Sequence, residues 1–456
     1  MTKTGRGLAL LVAGAFFMEI LDGTVIAPAA PHIAADLGVP AVGVNVAITA
    51  YVLTLAVLIP ISGWLTDRYG ARKVFTAAIA IFTLASAGCA AAVDLPMLVG
   101  TRVLQGVGGA MMVPVGRLVV IRTTEKKDLA RAIAYLTWPA LAAPLLAPAL
   151  GGVLSTYASW RWIFLINLPL GVAAVVLAQR LVPDVRANDP VRLDLRGFLM
   201  LAAGIAALVV GLEEVAGTDP NWPLAIGALV FAAVALTATV RYLLIVPRPL
   251  FDLRILRIHT YRVTALGGSV FRSVITAIPF LLPLFFQLGF GWTAAQAGLV
   301  VIALFAGNIG IKPATTPLMR RFGIRAVMFG SVLASAACLA GMSLLHPSTP
   351  LPLLLGLLLL SGVFRSTGFT TYNTVAFADV PPPRMTGANT LWSTVQELGS
   401  GLGVAVGALL VRLGANVGGD GYRFAFLSLA ALLVVPAVEA FRLPREAGNV
   451  VSGRSA

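Results

Sequence analysis

Gly63-Trp64-Leu65-Thr66-Asp67-Arg68-Tyr69-Gly70-Ala71-Arg72-Lys73 is the stretch that decides how the chain folds. One acid and three bases are packed into it, and an apolar run flanks each side, residues 43–64 before and 74–93 after. Each run is long enough to cross a bilayer, which takes roughly 20 apolar residues at about 1.5 Å each. Glycines let the backbone turn tightly, so the stretch reads as a short polar loop between two neighbouring spans. Asp67 can accept hydrogen bonds from a neighbouring helix end, and Arg68 and Arg72 can pair with acids across a gate on the same membrane face. With Gly63 and Gly70 these residues form a candidate gate loop, expected to hold one conformation of the molecule closed on that side. Part of its charge also serves orientation in the membrane.

The rest of the chain agrees with a membrane setting. Of 456 residues, 11% are charged and 58% are hydrophobic, with a mean hydropathy of +0.92. A soluble domain carries about 25% charged residues, so this chain cannot cover a globular surface with polar groups. A soluble enzyme, a disordered chain and a secreted disulfide scaffold are excluded. The formal net charge of +14 would suggest nucleic acid in a soluble protein, but basic residues crowd the cytoplasmic loops of multi-span proteins, and no nucleic-acid partner is expected. Cys89 and Cys338 lie in apolar runs and read as small core residues. The three histidines, His32, His259 and His346, are far apart, and no HExxH, CxxC or phosphate-loop pattern occurs. No metal, cofactor, catalytic residue or ATP-driven step is therefore expected.

Apolar runs between polar breaks give fourteen expected spans: 7–30, 43–64, 74–93, 96–120, 131–155, 160–182, 196–216, 222–246, 260–288, 295–319, 324–345, 350–377, 387–411 and 421–442. The first begins like a signal peptide but is interrupted by Glu19 and Asp22, and is read as an uncleaved span. With the N-terminus inside, the cytoplasmic loops collect Arg68, Arg72 and Lys73, then Arg117, Arg122, Lys126, Lys127 and Arg131, and most of the remaining bases. Only Arg161, Arg412 and Arg423 fall outside. That bias places both termini in the cytoplasm. The gate loop recurs in weakened form as Arg320-Arg321-Phe322-Gly323-Ile324-Arg325, 253 residues further on, close to eight spans' share of a 456-residue chain with fourteen spans. Two six-span halves would give six, so the two spans over 196–246 are expected as an insertion. The expected division is residues 1–182, a linker 183–258 with two extra spans, and 259–456. Parallel halves of this kind mark transporters.

Four further motifs stand in order with the gate loop. Span 1 carries Leu21-Asp22-Gly23-Thr24-Val25, and span 4 carries Arg102-Val103-Leu104-Gln105-Gly106-Val107-Gly108-Gly109-Ala110. Span 5 ends Ala147-Pro148-Ala149-Leu150-Gly151-Gly152, and Trp160-Arg161-Trp162-Ile163-Phe164-Leu165-Ile166-Asn167 opens span 6. With them the chain resembles the major facilitator superfamily, in particular its fourteen-span drug/proton antiporter branch, over nearly its whole length. The resemblance implies an all-α polytopic protein of two six-helix bundles plus two inserted helices. It implies proton-coupled export of amphipathic compounds across a bacterial inner membrane, with Pro148, Gly151 and Gly152 as an antiporter motif. Two departures stand out: Ala147 where that motif has its first glycine, and Ala27-Pro28 where the span 1 motif continues with asparagine.

A charge at mid-membrane costs about 2.5–3.5 kcal/mol on insertion scales, so it needs a partner or a function. Asp22 and Arg102 both fall in the outer half of their spans and can meet. A carboxylate balanced between an arginine that favours its charge and a desolvation that disfavours it can switch protonation as water access changes. The pair is the candidate for proton coupling, against the alternative of a fixed bridge between spans 1 and 4. In the second half, Arg272, Lys312, Arg365 and Glu397 are candidate cavity residues. Arg365 and Glu397 lie at matching depths and can pair, Lys312 can snorkel to its end of the span, and Arg272 is the better candidate to face a cavity. Phe16, Phe17, Trp138, Phe280, Phe285 and Phe286 are candidate cavity aromatics. The stripes Ala143, Ala147, Gly151 and Gly399, Gly403, Gly407 are expected to pack helices closely, and Pro144 and Pro148 to bend span 5.

The favoured function is export of small molecules in exchange for protons by alternating access. Export of an anionic metabolite is the second reading, because the bases within the spans outnumber the central acids Asp22 and Glu397. A non-transporting sensor or scaffold is the reading from another class; it would be favoured by an appended soluble domain, and none is expected here.

Overall fold

The computed structural model describes residues 3–39, 44–125, 128–184, 186, 192–216, 220–247, 249–416, 420–444 and 446–448. Among them every regular element is a helix. The first part of the chain forms α1 (Lys3–Leu37), α2 (Asn45–Leu58), α3 (Ser62–Tyr69), α4 (Ala71–Ala90), α5 (Leu95–Thr123), α6 (Leu129–Tyr157), α7 (Trp162–Leu165) and α8 (Asn167–Leu181). Then come α9 (Leu195–Ala216) and α10 (Trp222–Ile245). The last part forms α11 (His259–Leu284), α12 (Ala294–Gly310), α13 (Lys312–Phe322), α14 (Ile324–Met342), α15 (Leu351–Val375), α16 (Met385–Asn416), α17 (Gly421–Leu432) and α18 (Val434–Arg442).

In a bilayer the backbone has no water to bond, so an apolar segment satisfies its own amides as a helix. Polar side chains mark several starts: Asp94 accepts from Met97 N, Asn221 from Leu224 N, and Asp420 from Tyr422 N and Arg423 N. Thr293 and Gln296 form a capping box at α12, satisfying donors that a helix leaves open at its first turn. Among the described residues, twelve helical segments are long and apolar enough to cross a membrane, and the pair α12–α13, bent by 50°, supplies a thirteenth. The span expected over 131–155 falls on α6, whose side chains are described only in part.

The repeat is visible in the backbone. α3 ends at Gly70 with φ +91°, and α13 ends at Gly323 with φ +82°; both then turn straight into the next helix. That region of φ is open to glycine at little cost. The packing repeats as well. α1 lies against α6, α2 and α4 against α5, and α4 against α8; correspondingly α11 lies against α16, α12 and α14 against α15, and α14 against α17. α9 and α10 pack on each other, and α9 also touches α2 and α16. It thus bridges the two sets of helices.

The small-residue stripes do close packing. Ala143 and Ala147 are buried with Leu21, Val25 and Ile26 of α1. A Cβ on Gly403 would run into the Ser273 carbonyl of α11, and one on Gly407 would press on Ala277 at 3.3 Å. Gly151 is buried, whereas the side-chain positions of Trp138, Pro144, Pro148 and Gly152 lie outside the described residues.

Candidate functional site

Asp22 and Arg102 meet as an ion pair, and both are sealed from solvent at 1% and 0% exposure. The pair is the centre of a larger network. Arg102 Nη1 also donates to Gln105 Oε1 at 2.7 Å, while Gln105 Nε2 donates to Asp22 Oδ1 and to Ser86 Oγ, each at 2.8 Å. Asn167 Nδ2 donates to Asp22 Oδ1 at 2.9 Å. The guanidinium lies 4.0 Å from the centroid of the Tyr51 ring and 5.9 Å from that of Phe164. Six helices therefore converge: α1 gives the acid, α5 the arginine and glutamine, and α2, α4, α7 and α8 the rest. A buried charge pair contributes only when its remaining donors and acceptors are satisfied; here both carboxylate oxygens have partners, whereas Arg102 Nε and Nη2 are buried without a hydrogen bond and rest against the Tyr51 ring. Gln105 and Asn167 were visible in the sequence only as members of motifs.

A cavity of about 1000 Å³ lies between the two sets of helices. Its first wall includes Phe16, Glu19, Tyr51, Leu55, Val113 and Arg117; its second includes Arg272, Phe280, Phe305, Arg365, Gln396 and Glu397. Most of the lining is apolar, as in sites for small organic molecules, with a few polar groups that fix orientation. Asp22 is not part of the lining.

Glu19, which in the sequence marks only an interruption of span 1, faces the cavity, and no hydrogen bond or ion pair holds its carboxylate among the described residues. Arg117 is a correction of another kind: counted with the loop bases, it stands in α5 on the cavity wall, within the electrostatic reach of Glu19 and Arg272.

Of the second-half candidates, Arg272, Arg365 and Glu397 line the cavity. Arg272 Nε donates to Ser400 Oγ at 2.8 Å, and its guanidinium lies 4.8 Å from the centroid of Phe369. The pairing of Arg365 with Glu397 is not formed. Arg365 Nε and Nη1 are buried without a partner, and Arg272 is the base that bears on Glu397. Lys312 does not snorkel to the membrane surface. It is buried, with Nζ 2.5 Å from Thr370 Oγ1, because α13 bends away and leaves it against α15. Phe16 and Phe280 line the cavity, whereas Phe285 and Phe286 join a ring cluster with Phe290 and Trp292, and Phe17 packs with the core around Leu21.

The gate loop closes one end of this space. Asp67 lies 3.5 Å from Arg122 Nη2 and accepts from Thr386 Oγ1 at 3.0 Å; Arg122 also reaches Thr386. Thr386 belongs to α16, so α3, α5 and α16 are tied together. Asn389 Nδ2 of α16 donates to Pro114 O of α5 at 2.8 Å. A Cβ on Gly63 would overlap Thr390 Oγ1, also of α16, so a bare glycine is what lets the two walls touch. Arg72 Nε donates to Val182 O at 2.6 Å, and Arg68 is exposed. At the far end of α1, Asp36 accepts from Arg161 and from Trp160 Nε1. These bonds hold its carboxyl below the usual carboxylate range.

Known proteins agree with this architecture. The chain is 37% identical over 452 residues to the "Putative multidrug resistance protein MdtD" of Citrobacter koseri, covering 96% of this chain and 94% of that one. It is 39% identical over 450 residues to the protein of the same name from Cronobacter sakazakii, with 95% and 94% covered. Among solved structures, the human organic anion transporter MFSD10 (TETRAN) superposes with a TM-score of 0.69 at 15% identity, over 96% of this chain and 100% of that one. The proton:xylose symporter XylE bound to 6-bromo-6-deoxy-D-glucose gives 0.65 at 14% identity, with 97% of each chain covered. At such low identity these two bear on the fold alone. Residues 12–258 and 264–454 match the Major Facilitator Superfamily, and the chain belongs to that family: it is a multi-pass transporter of the bacterial inner membrane, not an enzyme.

Proposed function

We propose that the protein exports amphipathic small molecules in exchange for protons. Two six-helix halves, residues 1–182 and 259–456, rock about the cavity between them, with residues 183–258 carrying two extra spans. In this reading α6 completes a set of fourteen spans, both termini are cytoplasmic, and the gate loop closes the cytoplasmic end, which leaves the cavity facing outward. The observation that carries the reading is the large, mostly apolar cavity between the halves, with isolated charges on both walls and one end tied shut. A compound with an apolar body and a charged head fits such a lining. The multidrug resistance names of the relatives point the same way.

Asp22 and Arg102 are the proposed coupling pair. In the outward-facing conformation the pair is closed behind Tyr51. As the halves rock, the donors from Gln105 and Asn167 shift, and the balance between desolvation and the arginine's field shifts with them. Asp22 takes a proton from outside and releases it inside. Asp67, bonded with Arg122 and Thr386, and the bare Gly63 hold the gate, while Gly70 turns the loop whose Arg72 bonds Val182 O and whose Arg68 is exposed. Pro148, Gly151 and Gly152 are the proposed antiporter motif of α6.

A second reading, export of an anionic metabolite, is favoured by one observation: three arginines (Arg117, Arg272, Arg365) line the cavity against two acids (Glu19, Glu397). Everted vesicles holding an inward-acid pH gradient separate the two. Collapse of the gradient by lipophilic cations, lost in Asp22→Asn, supports drug/proton exchange. Collapse by organic anions alone moves the second reading to first place. An inert response to both classes leaves the fold standing and the function open, with a sensor or scaffold back in consideration.

A further inference from the structure

Arg365 sits in the cavity wall at 8% exposure, with Nε and Nη1 buried and unbonded. An arginine stays protonated in essentially any protein setting, and a buried charge left without a partner is strongly destabilising. Its neighbours do not supply the missing partner. The charges that bear on it come from Arg272 and Lys312, both of its own sign.

The register of the two helices around it is well defined. Gly362 of α15 touches the backbone of Leu304 and Asn308 in α12, and Thr370 of α15 bonds Lys312 at the start of α13. Arg365 falls between these two contacts, on the face of α15 that meets α12, and its guanidinium lies 5.9 Å from the centroid of Phe305. On the same two helices Asn308 Nδ2 and Ser366 Oγ are buried without partners. On α16 across the cavity, Gln396 Nε2 and Ser393 Oγ, also in the lining, are unbonded too. Asn308 Oδ1 is unbonded as well, and the hydroxyls can accept as well as donate, so the wall has unmet polar groups of both kinds around one unpaired positive charge. A buried N–H without an acceptor costs about 1–3 kcal/mol.

We propose that Arg365 is the centre of an anion subsite in the cavity, where the carboxylate or similar acidic oxygen group of a transported compound docks. A planar guanidinium matches a carboxylate with two parallel N–H···O bonds; because Nε and Nη1 are sealed here, the side chain turns further into the cavity to present that edge. Phe305, Phe369 and Phe280 offer an apolar wall for the body of the same molecule. Glu397, the acid on the same wall, lies in the field of Arg272, which offsets its repulsion of a docked acid. The subsite rests on the reading of this cavity as the transport site and, of the two cargo classes, favours the anionic one: amphipathic acids, with a free inorganic anion as the other occupant the test separates.

The test uses the purified full chain in lipid nanodiscs, with no pH gradient, so that its failure is distinct from a failure of exchange. Thermal unfolding midpoints are read with benzoate and with its neutral isostere benzamide, at constant ionic strength set by sodium fluoride. Benzoate is expected to raise the midpoint saturably and benzamide to leave it unmoved, with the benzoate affinity falling at least tenfold in Arg365→Gln. Arg365→Lys, which keeps the charge without the fork, is expected to fall in between and serves if the glutamine variant does not fold. Chloride that reproduces the rise and competes with benzoate supports the subsite and assigns it to free anions. Equal shifts with benzoate and benzamide, or a benzoate shift unchanged in both Arg365 variants, overturn it.

Discussion

Replacing Gly63 with alanine adds one methyl group at the place where α3 meets α16. The new Cβ overlaps Thr390 Oγ1 and comes within 3.1 Å of Thr386 Cγ2 and 3.3 Å of Thr390 Cβ. The hydroxyl cannot swing aside freely, because it donates to Thr386 O at 3.0 Å. Thr386 in turn is held by Asp67 and Arg122. Overpacking of this kind costs about 1–3 kcal/mol. In the proposed rocking of the two halves, the cost falls on the gate-closed conformation alone, because both threonines belong to α16 and would move away from α3 as the gate opens. A penalty of about 1–3 kcal/mol changes a two-state ratio by roughly 5- to 150-fold, so the closed form loses its majority unless it began with a larger margin. Electron–electron distance measurements between spin labels at Arg68→Cys and Arg384→Cys read this directly, since both positions are exposed and sit on opposite sides of the gate. Cys89 and Cys338, both buried, are replaced by alanine in the background. The expected result is a longer, broader distance distribution in Gly63→Ala than in the parent, and more so in Gly63→Leu. An unchanged distribution in both variants refutes the claim that this contact holds the gate.

Asn167→Ala removes one donor from Asp22 and one from Ser86, and should lower the unfolding free energy by about 1–3 kcal/mol, seen as a drop in the thermal midpoint; no drop would mean that water replaces the amide at no cost. Glu19→Gln keeps shape and removes a cavity charge, so it should alter the pH dependence and the cation-to-anion preference of transport while leaving the thermal midpoint within error of the parent; a large loss of stability would make Glu19 a structural residue. Gly403→Val drives a side chain into the Ser273 carbonyl and should destabilise the α11–α16 contact by about 1–3 kcal/mol, measured by thermal unfolding. Asp36 has its carboxyl depressed by the bonds from Arg161 and Trp160, so its contribution is complete above the unfolded pKa and is lost as pH falls through the folded value. Being half exposed, the pair is worth only about 0.2–1 kcal/mol; Asp36→Asn should therefore sit slightly below the parent near neutral pH, with the difference closing below about pH 4, and a difference that grows in acid would reverse the sign.

What the sequence made legible was depth, and what it withheld was direction around each helix. The rise of about 1.5 Å per residue lets the level of a charge be counted from the end of its span, which is how Asp22 and Arg102 were brought to the same layer. The turn at Gly70 was legible because glycine is the residue that tolerates its φ, and the copy at Gly323 repeated the signal. Counting depth fails where two residues share a layer but not a face. Arg365 and Glu397 do so: one turns toward Phe305 of α12, while the other comes under the field of Arg272 of α11. Glu19 and Asp22 are the opposite case, three residues apart and therefore only about 60° apart around α1. That small angle is enough to send Asp22 into the seam with α5 and α8, where donors await it, and Glu19 into the cavity. No periodicity in span 1 announces which is which, because the helix is apolar on nearly every side and the partners that distinguish its faces lie on segments 80 and 145 residues away. The proposed division of labour between the two acids rests on that geometry: the acid in the seam is held by bonds to other helices, while the acid in the cavity wall faces the space a cargo would enter. A proton taken by the first can be coupled to rocking, and a charge on the second can select the cargo.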